Sequence, residues 1–353
     1  MPGPDALDDL LDDAAAALEE GEPEEALARA EEAVARAPRS VPALHLRAAA
    51  LAALDRLDDA ADAYERALER GRDDPELLAG AADFHLNVLA DEDTARERAE
   101  RALELARRGS RAARKLDDPD LAADLAYLEG AALDQLGRAD EALVRLEEAA
   151  RTAPDRVEIL LEQAFALYEL SRLDDARAVL LRAEALDRKD PWVHHQLGLV
   201  AERLGDAAEA ARRFARARKL APEEFPEPVS LTHEAFDAAV EAALERLPEP
   251  VRRYLSNVAI TVEDLPQDDD LRGSEPPLSP AILGLFRGAP WGQKASMDPW
   301  SHFPSSIVLY QRNLERFARS REELVEEIGV TLVHEVGHFL GLDEEELWER
   351  GLD

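Results

Sequence analysis

One short pattern returns along the chain and limits what it can fold into. An acidic pair or single acid precedes a fixed alanine at Glu24-Glu25-Ala26, Asp58-Asp59-Ala60, Asp140-Glu141-Ala142, Asp174-Asp175-Ala176 and Ala208-Glu209-Ala210. Ala26 and Ala60 lie 34 residues apart, and so do Ala142, Ala176 and Ala210 in succession. Each copy continues in one frame: Ala30, Ala33 and Pro38; Tyr64 and Ala67; Leu146, Ala149 and Pro154; Leu180 and Ala183; Phe214, Ala217 and Pro222. A 34-residue period predicts two antiparallel helices per repeat, and the fixed alanines let the helices approach closely. The first helix of a copy ends at a Gly or polar turn (Gly21, Gly137, Gly205), and the second opens on acids that suit a helix N-terminus. Proline then stops it.

Between Ala60 and Ala142 the frame loosens. Ala95, Ala99 and Ala102 mark a degenerate copy, with an insertion near residues 108–120. The array resembles the tetratricopeptide repeat, most closely in its last copy, where Leu197-Gly198, Ala201, Gly205, Ala210, Phe214, Ala217 and Pro222 stand in that family's order. The resemblance covers about six repeats over residues 1–225. It implies an all-α superhelix whose concave groove holds a protein partner. The histidines at 45, 85, 194 and 195 read as ordinary groove or surface residues.

Composition narrows the function. The chain carries a formal charge of −35 over 353 residues, and most acids sit beside arginines, as on a solvated helical surface. A phosphate backbone is repelled by such a chain, so nucleic acid is not an expected partner. The absence of cysteine excludes disulfides, thiolate metal sites and cysteine nucleophiles. Neither a leader-like apolar segment nor a run long enough for a membrane helix is present, and the expected location is cytoplasmic.

After Pro222 the alanine frame stops. The acidic, proline-bearing stretch around residues 226–230 reads as a linker, and residues 231–353 as one further domain. An amphipathic helix is expected over residues 232–247, capped by Thr232. Strands are expected at 258–262, 284–286 and 306–310, with a loop over 264–280. The last long helix starts at a capping box of Ser320 and Glu323 and runs to Gly341. It carries His334-Glu335-Val336-Gly337-His338. Histidines at i and i+4 share one helical face, so both imidazoles reach one ion. Such nitrogen ligands suit zinc, and Glu335 is placed as the general base. Asp343 and Glu344 stand just beyond Gly341, and resemblance to the longer motif of one zincin branch makes Glu344, three residues after the glycine, the candidate third ligand, with Asp343 as the alternative. The strand Ile307, Val308, Leu309 and Tyr310 is expected to offer its edge to an extended peptide; Tyr310 and His302 read first as core or surface packing, with a place near the oxyanion as the alternative.

This set resembles the small bacterial zincin-like metallopeptidases, the minimal zincins. The likeness runs through the helix ending at Leu247-Pro248, the strand 257–262, the run Leu283-Gly284-Leu285-Phe286-Arg287-Gly288, the stretch 304–310 and the terminal stretch 331–347. It implies an α+β domain with a small mixed sheet, one Zn2+ per chain, and an acidic third ligand after the glycine. That family commonly has Asp where this chain has Glu344. The expected function is a zinc-dependent metallopeptidase whose repeat module recruits or positions a protein or peptide substrate. The alternative is an interaction scaffold whose zincin-like domain binds metal with little or no peptidase activity.

Overall fold

The structure, a computed structural model, describes residues 5–88, 92–255, 258–273, 277–288, 306–342 and 346. The repeats form six helix pairs: α1 (Asp5–Glu19) and α2 (Pro23–Arg36), α3 (Val41–Ala53) and α4 (Leu57–Arg70), α5 (Pro75–Asn87) and α6 (Glu92–Ala113), α7 (Pro119–Gln135) and α8 (Ala139–Thr152), α9 (Val157–Glu169) and α10 (Leu173–Leu186), α11 (Pro191–Arg203) and α12 (Ala207–Leu220). The fixed alanines do what their spacing implied: Ala26, Ala60, Ala142 and Ala176 have no exposed surface.

Helix starts and turns repeat with the period. The odd-numbered helices α5, α7 and α11 open on an Asp–Pro pair in which Asp74, Asp118 and Asp190 accept the backbone N–H three residues on. The aspartate satisfies an otherwise orphaned donor, and the proline stands where its missing N–H costs nothing. In five of the six pairs the turn inside the pair holds one residue at positive φ. Gly21, Gly137 and Gly205 take that position, but Asp55 (φ 56) and Ser171 (φ 53) occupy the same place in two copies. The extra residues near 108–120 lengthen regular structure: α6 has 22 residues and α7 has 17, against 13 to 15 in the other helices of the array.

The chain packs as two compact units. One comprises Met1–Leu167 with Ala178–Arg188; the other comprises Tyr168–Arg177 with Lys189–Asp353. The second unit therefore joins the final helix pair, α11 and α12, to the C-terminal elements. Those are α13 (His233–Arg246), α14 (Glu249–Leu255), β1 (Ala259–Glu263), α15 (Asp268–Leu271), β2 (Gly284–Arg287), β3 (Ser306–Tyr310), α16 (Gln311–Phe317) and α17 (Arg321–Leu340). The three strands form a mixed sheet in the order β1-β3-β2, with β1 parallel and β2 antiparallel to β3. Helices α13 and α17 pack around its apolar residues in one core that includes Phe236, Ile307, Leu309, Leu314, Ile328 and Leu332. Thr232 caps α13 and Ser320 caps α17, each accepting an N–H three residues on. Where the sequence suggested a loop over 264–280, the short helix α15 stands, and α14 and α16 are further helices that its periodicity did not signal.

Helix α16 is buried through polar groups. Gln311 Nε2 donates to the Leu231 carbonyl at 3.0 Å, and the Glu315 carboxylate accepts the Leu231 N–H at 2.8 Å. Asn313 Nδ2 donates to the carbonyls of Pro280 (3.0 Å) and Ile282 (2.8 Å). Unpaired, such buried groups would be costly; paired, they fix the backbone they hold. The arginines of α16 meet the final repeat, and Arg316 also donates to Asn313 Oδ1 at 3.4 Å. Glu202 of α11, with its side chain 9% exposed, pairs with Arg312 at 2.8 Å and with Arg316. Arg312 also reaches Asp264 at 3.2 Å, and its pKa rises chiefly through Glu202. Arg316 lies over the Phe214 ring, 5.2 Å from its centroid. Arg203, 5% exposed, donates to the Pro266 carbonyl and to Asp268.

Candidate metal centre

Helix α17 carries the candidate site. Its first turn is fixed by Ser320 and Glu323, whose carboxylate accepts the Arg319 N–H at 2.9 Å. Its last turn ends on Gly341 in the left-handed conformation (φ 92), where the Gly341 and Leu342 N–H groups satisfy the carbonyls of His338 and Gly337. A glycine adopts that conformation without the penalty that a Cβ imposes.

The i, i+4 spacing brings His334 Nε2 and His338 Nε2 to 3.1 Å, with ring planes at 82°. His338 Nδ1 lies 3.2 Å from the Leu342 carbonyl oxygen. A carbonyl only accepts, so Nδ1 is the donor, and in the neutral imidazole Nε2 then turns its lone pair to the space that it shares with His334. Two nitrogens on a tetrahedral zinc at about 2.0–2.1 Å stand roughly 3.3 Å apart. The two imidazoles therefore fit one such ion. Among the described residues no group of three potential ligands converges. Glu344 and Asp343, the candidates for the third ligand, lie outside the described residues. So does His302.

Glu335 is 5% exposed and faces the first residue of β2. A Cβ on Gly284 would stand 2.6 Å from Thr331 Cγ2 and 3.3 Å from Glu335 Cγ and Oε1. The absent side chain is thus what lets the strand lie against α17 at this glutamate. Sequence reasoning noted the Leu283–Gly288 run without assigning Gly284 a role; a glycine at the start of an apolar strand is the signal of a close backbone approach.

The edge-strand expectation for Ile307, Val308, Leu309 and Tyr310 is not met. β3 is the central strand, hydrogen-bonded to β1 on one side and β2 on the other, so its backbone has no edge to offer. All four of these side chains are buried. The Tyr310 hydroxyl lies 3.4 Å from Asp270, to which it donates, and burial together with Asp270 raises its pKa. Asp270 and Glu263 both accept from Arg287 of β2 and raise its pKa. Tyr310 thus belongs to a network that ties the strands to α15. His194 is buried and 3.1 Å from Arg213, whereas His195 is half-buried and stacks on Phe225. Burial, aided by Arg316, lowers the His195 pKa to about 4.

Architecture and sequence define the class first: an array of paired helices joined to a small α+β domain with a mixed sheet. The comparisons specify both parts. Residues 255–352 match the zincin-like metallopeptidase family, and residues 17–84 and 135–202 match the tetratricopeptide repeat. The chain carries tetratricopeptide repeats followed by a zincin-like metallopeptidase domain.

Solved structures resemble the repeat region. The pilF protein of Pseudomonas aeruginosa aligns with a TM-score of 0.52 at 19% identity, over 66% of this chain and 97% of its own. PilW, a widely conserved type IV pilus biogenesis factor, aligns with a TM-score of 0.53 at 17% identity, over 63% of this chain and 96% of its own. At these identities the likeness is one of fold. No curated protein gives a significant match. Among the described residues, no helix is long and apolar enough to cross a membrane.

Proposed function

We propose that the chain is a zinc-dependent metallopeptidase acting on a cytoplasmic protein or peptide that its repeats recruit or position. The observation that carries this reading is the approach of His334 Nε2 and His338 Nε2 on a capped helix inside a zincin-like domain. His334 and His338 would hold the ion, with Glu344 or Asp343 completing the set. When bound, zinc supplies a Lewis acid that acidifies water and polarises a carbonyl. Glu335 then serves as the general base, taking a proton from water and passing it to the leaving amine. Gly284 keeps the β2 backbone against the Glu335 side chain and so limits where its carboxylate points. The tetratricopeptide repeats supply a protein-interaction surface in general; which protein they hold is a separate question.

Metal content by elemental mass spectrometry, beside a His338→Ala control, tests the reading. About one zinc per chain, lost in the variant, is the expected result. Glu335→Gln should keep the metal and abolish cleavage of an unstructured protein substrate. Metal-free protein after zinc supplementation, in parent and variant alike, would turn the assignment to the scaffold alternative.

A further inference from the structure

The seam between the final repeat and the C-terminal elements leads toward Glu335 through one short helix. We propose that Glu202, on α11, is a positioning residue for the candidate site and acts through α16 on the segment that enters β2. The functional meaning of this role rests on the reading of Glu335 as general base; the physical linkage does not.

The route has three steps, each made of named contacts. Arg312 and Arg316 of α16 converge on the Glu202 carboxylate, which is 9% exposed. Charge-assisted bonds at such a site are stronger than neutral ones, and removing the carboxylate takes from both guanidinium groups the acid that they share. The Arg316 guanidinium is held a second time by the Phe214 ring of α12, so the final repeat grips α16 at two points. Next to them, Asn313 accepts from Arg316 through its Oδ1 at 3.4 Å and donates both of its amide N–H bonds to the carbonyls of Pro280 and Ile282. Those carbonyls precede Gly284 by four and two residues, and Gly284 lies against Thr331 and Glu335. Residues 312, 313 and 316 belong to one seven-residue helix, so a shift of α16 on the repeat side is a shift of Asn313 as well. β2 is hydrogen-bonded to β3, and the Leu283 carbonyl accepts from Tyr310 N at 2.9 Å; the Asn313 clasp is a further restraint on its entry.

The array therefore would do more than recruit: its last helix pair would set how firmly β2 presses on the glutamate. A partner that strains α11 would loosen the site, and one that stiffens α11 would tighten it.

Amide hydrogen exchange on the full chain tests the linkage without any substrate. Glu202→Gln keeps the side-chain volume and removes the charge. The expected result is about tenfold faster exchange over residues 280–287, in line with loss of a charge-assisted bond. Exchange in α3 and α4 should be unchanged, and bound zinc should be retained. Glu202→Asp should give partial recovery. Unchanged protection of 280–287 while only α11 and α12 loosen would overturn the proposal. So would loosening spread evenly through α13, α17 and β1, which marks general destabilisation. If Glu202→Gln does not fold, Arg316→Lys, which keeps the charge but loses the planar fork, takes its place with the same two overturning outcomes. Failure here leaves the zinc assay of the site untouched, and a metal-free protein leaves this exchange result standing.

Discussion

The repeats and the C-terminal domain are held together in different ways. In the repeats, stability is spread over many alike contacts between sequence neighbours: α1 with α2, α3 with α4, α5 with α6, α7 with α8. Each contact turns on an alanine with no exposed surface. In the C-terminal domain few contacts repeat. One core around Phe236 and the strand β3, one buried polar helix and one glycine define the surroundings of Glu335. A distributed structure should lose stability locally when damaged, whereas a concentrated one should lose its site.

The sharpest way to break this contrast is to cut the same kind of hole in each region. Phe236→Ala in the C-terminal core and Leu146→Ala in α8 both truncate fully buried side chains. Phe236→Ala should cost about 3–5 kcal/mol in denaturant unfolding and abolish zinc binding. Leu146→Ala should speed amide exchange in α7 and α8 and leave zinc stoichiometry unchanged. Zinc loss from the second variant would mean that the repeats are not distributed in this sense.

Gly284→Ala should cost about 1–3 kcal/mol by overpacking. Zinc should stay bound, cleavage should fall, and Thr331→Ser in the same chain should recover part of it by removing the methyl group at 2.6 Å. A smaller effect concerns acid. His195 and His85 each have a pKa lowered to about 4, chiefly by burial. The unfolded chain binds their protons first, so stability is present above about pH 6.5 and is lost as pH falls toward 4. The thermal midpoint should fall between pH 7 and pH 5, and His195→Gln should flatten that slope. The smallest effect lies in the turns. Ser171 takes a left-handed conformation that glycine adopts in other copies, so Ser171→Gly should stabilise the chain by about 1 kcal/mol, read by denaturant midpoint.

Much of this organisation is legible in the sequence, and the limits have physical causes. The repeats announce themselves because the helix pairs share local rules, the fixed alanines and the turn positions, with an aspartate before proline in three of them. The His–Glu–x–x–His helix is legible because its ligands lie one turn apart. The central place of β3 was missed, although its signal was there: Ile307 through Tyr310 form an unbroken apolar run, which suits a strand buried on both faces better than an edge. Helix α16 was missed because its buried face is polar, with Gln311, Asn313 and Glu315 turned inward, and hydrophobic periodicity cannot see such a face. The Glu202 pairings span more than a hundred residues, a separation that no local pattern encodes.

The strand order carries one more consequence, for the timing of folding. β1 and β3 pair in parallel, from Ala259 with Ser306 to Glu263 with Tyr310, so the sheet's centre cannot form until the ends of a long intervening segment have come together. Helix pairs of the repeats close only short turns. The repeats should thus reach their native pairing first and the sheet last, as a slower kinetic phase. Until β3 arrives, β1 and β2 have no partner in the sheet, and this interval is when the chain is most exposed to strand-to-strand association with other copies.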